Sequence, residues 1–252
     1  MVGYPPAQPL GDRLAESSTA FADARYAVVR GALAPAAARL AAEYALTLAR
    51  DPRAFRPEQR FVARGRYADA VGESLLASLQ PVVEQASGRP LLPCYSFLRI
   101  YEAGASLYKH LDRPSCEISV TLTLGYDAPA LWPIFVARGG VQRAIELDAG
   151  DMLVYKGAQV VHWRDQLVGR RWVQVFLHYV DAAGPYTEFK FDGRDAIGPF
   201  DPARDKRRNL PPPLPQPSDP CPCLSDRPWG ECHGRPGAAP PPTINQATEE
   251  RT

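Results

Sequence analysis

The chain holds four histidines, and two of them stand in patterns that suit a metal. His110 lies two residues before Asp112, in Tyr108-Lys109-His110-Leu111-Asp112. Residues two apart in an extended chain project to one face, so this imidazole and carboxylate can share one ion. His162 follows about fifty residues later, after Gly150-Asp151, and is the candidate third ligand. Two histidines and one carboxylate on one face leave three positions of an octahedral ion open, the arrangement that non-haem Fe(II) centres use. Arg171, nine residues past His162, shares a strand face with Val173, Val175 and Leu177. A guanidinium on an otherwise apolar interior face needs an anionic partner. Its planar fork pairs with a carboxylate at two points. Arg170 falls on the opposite face and is the exposed alternative. His178 also falls opposite Arg171 and reads as a hydrogen-bonded structural residue.

A second group lies near the end of the chain. Cys221, Cys223, Cys232 and His233 make a closed Cys₃His donor set, typical of structural zinc. The segment has almost no core of its own, so metal binding must supply its folding energy. With no export signal expected from Met1 to Ala20, such a cluster in a reducing compartment reads as a metal site before it reads as disulfides. Cys94 and Cys116 read as small buried residues.

The elements that must position the first group come in two styles. Residues 1–24 are polar, carry Pro5, Pro6 and Pro9, and are expected to form a flexible N-terminus. Tyr26 to Val29 suggests a strand. Pro35 suits a first helical turn, and Ala36 to Ala49 is helical by composition. The stretch from Phe55 to Arg66 carries no decisive pattern. Ala68 to Gln85 places Val71, Leu75, Leu76, Leu79 and Val82 at spacings of three and four, a second amphipathic helix that Pro81 can kink or shorten. After Gly88 the runs are short and strand-like: Tyr95 to Tyr101, Ile118 to Leu124, Leu131 to Ala137, Ala144 to Leu147, Met152 to Tyr155 and Trp172 to Val180. Helices followed by six or more short strands predict a mainly β fold with flanking helices, and a jelly-roll core is the natural way to bury them.

From these residues a family resemblance emerges. Arg99-Ile100-Tyr101-Glu102-Ala103-Gly104, His110-Leu111-Asp112, Gly150-Asp151 before His162, and Arg171-Trp172-Val173 together resemble the 2-oxoglutarate- and Fe(II)-dependent dioxygenases, most of all the prolyl-hydroxylase-like branch. One departure is Leu107, where that branch commonly has an aromatic residue three before the first histidine. The resemblance implies a double-stranded β-helix and Fe(II) held by His110, Asp112 and His162. It implies a 2-oxoglutarate co-substrate whose far carboxylate meets Arg171, with Tyr101 as a second contact. The implied reaction is hydroxylation of a C–H bond with decarboxylation of 2-oxoglutarate to succinate. The carboxylate is missing in related halogenases, so Asp112 favours hydroxylation. Cys221-Pro222-Cys223 and Cys232-His233-Gly234 resemble the SEC-C motif, a small zinc module that implies docking to a protein or ribosomal partner.

The expected organisation is thus a dioxygenase domain over residues 25–198, a Pro-rich linker over 199–220, the zinc module over 221–234 and a disordered tail over 235–252. More than half of the 27 prolines fall between Pro199 and Pro242, which marks the boundary. Lys and Arg total 29 against 28 Asp and Glu over 252 residues, a balance that argues against a whole-chain nucleic-acid binder. No run of about 18 apolar residues exists, so no membrane span is expected, and a cytoplasmic location is. The expected substrate is a protein side chain or peptide. A small-molecule hydroxylase, a cupin-like metal enzyme with another co-substrate, and a non-catalytic adapter built on the zinc module are the alternatives.

Overall fold

The computed structural model describes residues 10–200 together with Arg227, Pro228, Glu231, Cys232 and Arg235. Its elements run α1 (Leu10–Ala24), β1 (Tyr26–Val29), α2 (Pro35–Leu48), β2 (Arg56–Glu58), β3 (Ala63–Tyr67), α3 (Ala70–Ser87), β4 (Leu91–Glu102), β5 (Leu107–His110), β6 (Ile118–Asp127), β7 (Ile134–Arg138), β8 (Val141–Ile145), β9 (Met152–Tyr155), β10 (Val161–Arg164) and β11 (Arg171–Asp181). The strands form two antiparallel sheets, ordered β1-β9-β6-β11-β4-β3-β2 and β5-β10-β7-β8. This is the expected jelly-roll with flanking helices.

Alternation along the strands sorts side chains to the two faces of the larger sheet. On β11, Val173, Val175 and Leu177 join Leu98, Ile100, Val120, Leu122 and Leu124 under the helices. The intervening Trp172 and Phe176 face the smaller sheet with Tyr101 and Trp132. The helices close the first face. Asp69 caps α3 by accepting the Val71 N–H at 2.9 Å, and Gly88 ends it at a φ of 66°, where a side chain would be strained. Pro81 lies inside α3 without stopping it.

Residues 10–24 are not a flexible lead-in. They form α1, which packs against α3 and β1. Leu14, Ser17 and Phe21 recur at helical spacing and are buried, while the prolines that suggested flexibility all precede the helix. The undecided stretch from Phe55 becomes β2 and β3, which extend the larger sheet beyond β4. The fold also runs slightly past residue 198, because the Phe200 ring meets Tyr67 edge-on at 5.3 Å. Residues 201–220 of the linker and the tail lie outside the described residues, apart from Arg235 in the tail. No helix among the described residues is long and apolar enough to cross a membrane.

Candidate metal centre and co-substrate pocket

The pairing of β5 with β10 sets His110 opposite His162 in register, with ring centroids 4.1 Å apart. Asp112 follows β5 by two residues, and its N–H donates to the Gly157 carbonyl at 2.9 Å, which bends the chain back toward the histidines. Its Oδ1 lies 3.6 Å from His110 Nε2 and 3.5 Å from His162 Nε2. The structure thus brings the three expected ligands to one point.

The outer nitrogens fix the tautomers. His110 Nδ1 is 2.7 Å from the Tyr108 carbonyl, and His162 Nδ1 is 2.9 Å from the Val160 carbonyl. A carbonyl only accepts, so each Nδ1 carries the hydrogen and each Nε2 presents a lone pair. Two lone pairs and a carboxylate oxygen facing one another repel unless a cation stands between them. A metal ion satisfies this, and in its absence a proton does. Burial opposes charge on His110, but its hydrogen bond to Asp112 and that carboxylate's charge outweigh it and raise the pKa. Burial likewise opposes charge on Asp112, yet the His162 and His110 imidazoles hold it well below the usual carboxylate range. The donor set and its geometry fit Fe(II).

The other oxygen of Asp112 is held from behind. Oδ2 accepts from Ser119 Oγ at 2.8 Å, and Ser119 Oγ is 3.0 Å from His178 Nδ1. His178 is buried, and that burial pushes its pKa down to about 4, so it stands neutral. The structural role expected of His178 is therefore carried out beside the candidate metal ligands.

Arg171 is not at this site. It lies on the helix-side face of β11, half-buried, with its Nε 3.6 Å from Glu102 Oε2. The face it shares with Val173, Val175 and Leu177 is apolar because helices cover it, not because it lines the barrel interior. The buried arginine inside the barrel is Arg164, two residues after His162 on β10. One of its Nη atoms donates to the Trp132 carbonyl, and the other is 3.4 Å from Gln174 Oε1. Its guanidinium stands 4.6 Å from the Trp132 ring and 5.8 Å from the Trp172 ring. Burial pushes its pKa down to about 10, against the pull of Tyr101 and Tyr155, so it remains charged near neutral pH. Among the described residues no carboxylate pairs with it. Period-two alternation from His162 was the sequence signal for this residue.

Tyr101 is fully buried in the barrel, and its hydroxyl accepts from Arg99 at 3.1 Å. Arg99 is gripped by both oxygens of Glu58, at 2.7 and 2.8 Å, within a box of Phe61, Phe97, Tyr101 and Phe176. Of the four expected zinc ligands only Cys232 lies among the described residues, where it is buried; Cys221, Cys223 and His233 lie outside them.

Comparison with known proteins matches the SEC-C motif to residues 218–235. No curated protein sequence matches the chain. Among solved structures, a Pseudomonas putida prolyl-4-hydroxylase is similar at 19% identity and a TM-score of 0.54, over 68% of this chain and 100% of that one. The non-haem α-ketoglutarate-dependent epimerase SnoN of nogalamycin biosynthesis is similar at 16% identity and a TM-score of 0.59, over 77% and 96%. SnoN has also been solved with Fe³⁺, α-ketoglutarate and nogalamycin RO. A Trichoplax adhaerens prolyl hydroxylase in complex with a hypoxia-inducible-factor peptide fragment is similar at 10% identity and a TM-score of 0.56, over 71% and 92%. At these identities the likeness shows the fold: the chain has the double-stranded β-helix of 2-oxoglutarate/Fe(II) oxygenase structures, with a SEC-C motif after it.

Proposed function

We propose that the chain is an Fe(II)- and 2-oxoglutarate-dependent dioxygenase that hydroxylates a C–H bond of a protein side chain or peptide. One observation carries the reading: Asp112 Oδ1 lies within 3.6 Å of two imidazole nitrogens that present lone pairs. His110, Asp112 and His162 would hold the ion. Bound Fe(II) would supply the redox chemistry that couples oxidation of 2-oxoglutarate to succinate with hydroxylation of the substrate.

The chain's own residues do the rest. Arg164, charged and without a carboxylate partner inside the barrel, would take the far carboxylate of 2-oxoglutarate through its fork. Tyr101, buried in the barrel with the Trp132 and Trp172 rings that cover Arg164, fits the second contact expected of it. Trp132 and Trp172 cover the guanidinium and exclude water from it, which strengthens the pairing. Ser119 holds Asp112 so that Oδ1 faces the histidines.

A polypeptide substrate is favoured by β5, the edge strand of the smaller sheet. Among the described residues it pairs with β10 on one side only, and it ends at His110, with Tyr108 half exposed beside it. An edge strand can hold an extended chain through backbone hydrogen bonds. The prolyl hydroxylase neighbours also support this substrate class. The SEC-C match supports zinc at Cys221, Cys223, Cys232 and His233, a docking role toward a protein or ribosomal partner, and with it a reducing, cytoplasmic setting.

The test is release of succinate from 2-oxoglutarate by full-length protein with Fe(II), oxygen and a peptide library. Peptide-stimulated succinate that disappears in His110→Ala is the expected result. No succinate with any peptide, together with no binding of Fe(II) or Mn(II), would leave the barrel as a scaffold for the zinc module. Succinate stimulated only by small molecules would replace the peptide with that class.

A further inference from the structure

Arg171 opens into a separate cavity. It is a space of about 630 Å³ on the helix side of the larger sheet, between α2 and the adjoining ends of β6 and β11. Its floor is apolar, with Ala42 and Leu46 from α2 facing Leu124 and Val173 of the sheet. At the rim, Arg170 is already paired with Asp127, and the Tyr126 hydroxyl donates to Asp148 at 2.8 Å.

Two cations remain. Arg171 Nε is buried and has no hydrogen-bond partner. The nearest carboxylate belongs to Glu102, at 3.6 Å, and Glu102 is engaged more closely by Arg64 at 2.8 Å. Arg39 reaches the same cavity from α2, exposed. A buried guanidinium N–H without an acceptor is costly, and Arg171 still keeps 27% of its side chain exposed and lines the cavity. A guanidinium fork takes a carboxylate at two points, and the floor beneath it accepts an apolar body.

From this geometry we infer that the cavity is a binding site for a small organic carboxylate with an apolar body. The carboxylate sits on Arg171 and Arg39, and the body lies against Ala42, Leu46, Leu124 and Val173. The site lies across the sheet from the His110, Asp112 and His162 cluster, so its occupant does not compete for the metal or for Arg164.

The probe is 4-phenylbutyrate, titrated calorimetrically into full-length protein loaded with Mn(II) and saturating 2-oxoglutarate, with 4-phenylbutanol as the control lacking the carboxylate. Saturable binding of the acid but not the alcohol is expected. Arg171→Met should weaken it at least tenfold and Arg39→Ala severalfold, and 2-oxoglutarate should not displace it. No saturable binding, binding indifferent to both substitutions, or displacement by 2-oxoglutarate would each overturn the inference. If Arg171→Met fails to melt cooperatively, Arg39→Ala at the exposed wall decides. Loss of 2-oxoglutarate binding in Arg171→Met, with no binding of the probe to the wild type, would put the co-substrate on Arg171 instead. A protein that bound the probe but never turned over 2-oxoglutarate would sink the proposed reaction and leave this site standing.

Discussion

His162 and Arg164 lie two residues apart on β10 and turn to the same inward face, while Trp163 between them stacks outward on Phe135 at a ring separation of 5.2 Å. The strand thus delivers a candidate metal ligand and a buried cation from adjacent inward positions. Arg164→Met tests what the cation is for. Removing a buried charge from its pair costs about 3 kcal/mol or more, which is roughly a hundredfold or more in 2-oxoglutarate affinity. Without co-substrate the same variant should melt at a higher temperature than the wild type, because an uncompensated buried charge has gone. Arg171→Met should keep 2-oxoglutarate affinity within about twofold. Calorimetry and thermal melting check both, and an unchanged affinity in Arg164→Met would remove it as the anchor.

Ser119 is expected to act through Asp112. Its hydroxyl sits 2.8 Å from the carboxylate oxygen that faces away from the histidines and 3.0 Å from His178 Nδ1. Groups that orient a ligand typically alter metal affinity by about 10- to 100-fold when removed. Ser119→Ala should therefore weaken Mn(II) binding by about tenfold while leaving the fold intact, and Ser119→Thr should restore most of it. Equal Mn(II) affinity in Ser119→Ala and wild type would show that Asp112 needs no such support.

The core fold and the convergence of His110 with Asp112 were legible because each depends on short-range spacing. His110 and Asp112 are two apart, and the run of short strands after Gly88 forces a β architecture whatever its register. The facing of Arg171 was not legible. Both faces of β11 are buried, one by α2 and α3 and the other by the smaller sheet, so an apolar face could not be assigned to the barrel interior from one strand alone. Likewise Leu14 and Phe21 carry the helical signal of α1, but the prolines ahead of it masked where disorder-prone composition ends.

His178 makes acid sensitivity predictable. Burial holds its folded pKa at about 4, against 6.5 for the ordinary imidazole. Between those values the unfolded chain takes up a proton that the folded one refuses. Stability from this group is therefore complete above pH 6.5 and falls as pH drops to 4, by about 3 kcal/mol in all. His178→Gln should flatten that limb: the difference in unfolding free energy between variant and wild type should shift in the variant's favour from pH 7 to pH 4.5. Parallel pH profiles for the two proteins would show that His178 titrates normally.

Gly157 sits where no side chain fits. A Cβ there would lie 2.4 Å from Asp112 Oδ2, 2.4 Å from the Cys116 carbonyl and 2.7 Å from Ser119 Oγ. The glycine cannot retreat easily, because its carbonyl accepts from Asp112 at 2.9 Å and its N–H donates to the Glu117 carbonyl at 3.0 Å. Two of the three crowded atoms belong to the Ser119–Asp112 contact, so relief of the clash must move the carboxylate. Gly157→Ala should cost about 1–3 kcal/mol of stability, the usual range for an overpacked core. It should also weaken Mn(II) binding by more than Ser119→Ala does, since it displaces the ligand rather than loosening it. Urea unfolding and Mn(II) titration give the two readouts. A variant with the wild-type urea midpoint and wild-type Mn(II) affinity would mean that the loop carrying Gly157 yields freely, and that Asp112 is positioned by β5 alone.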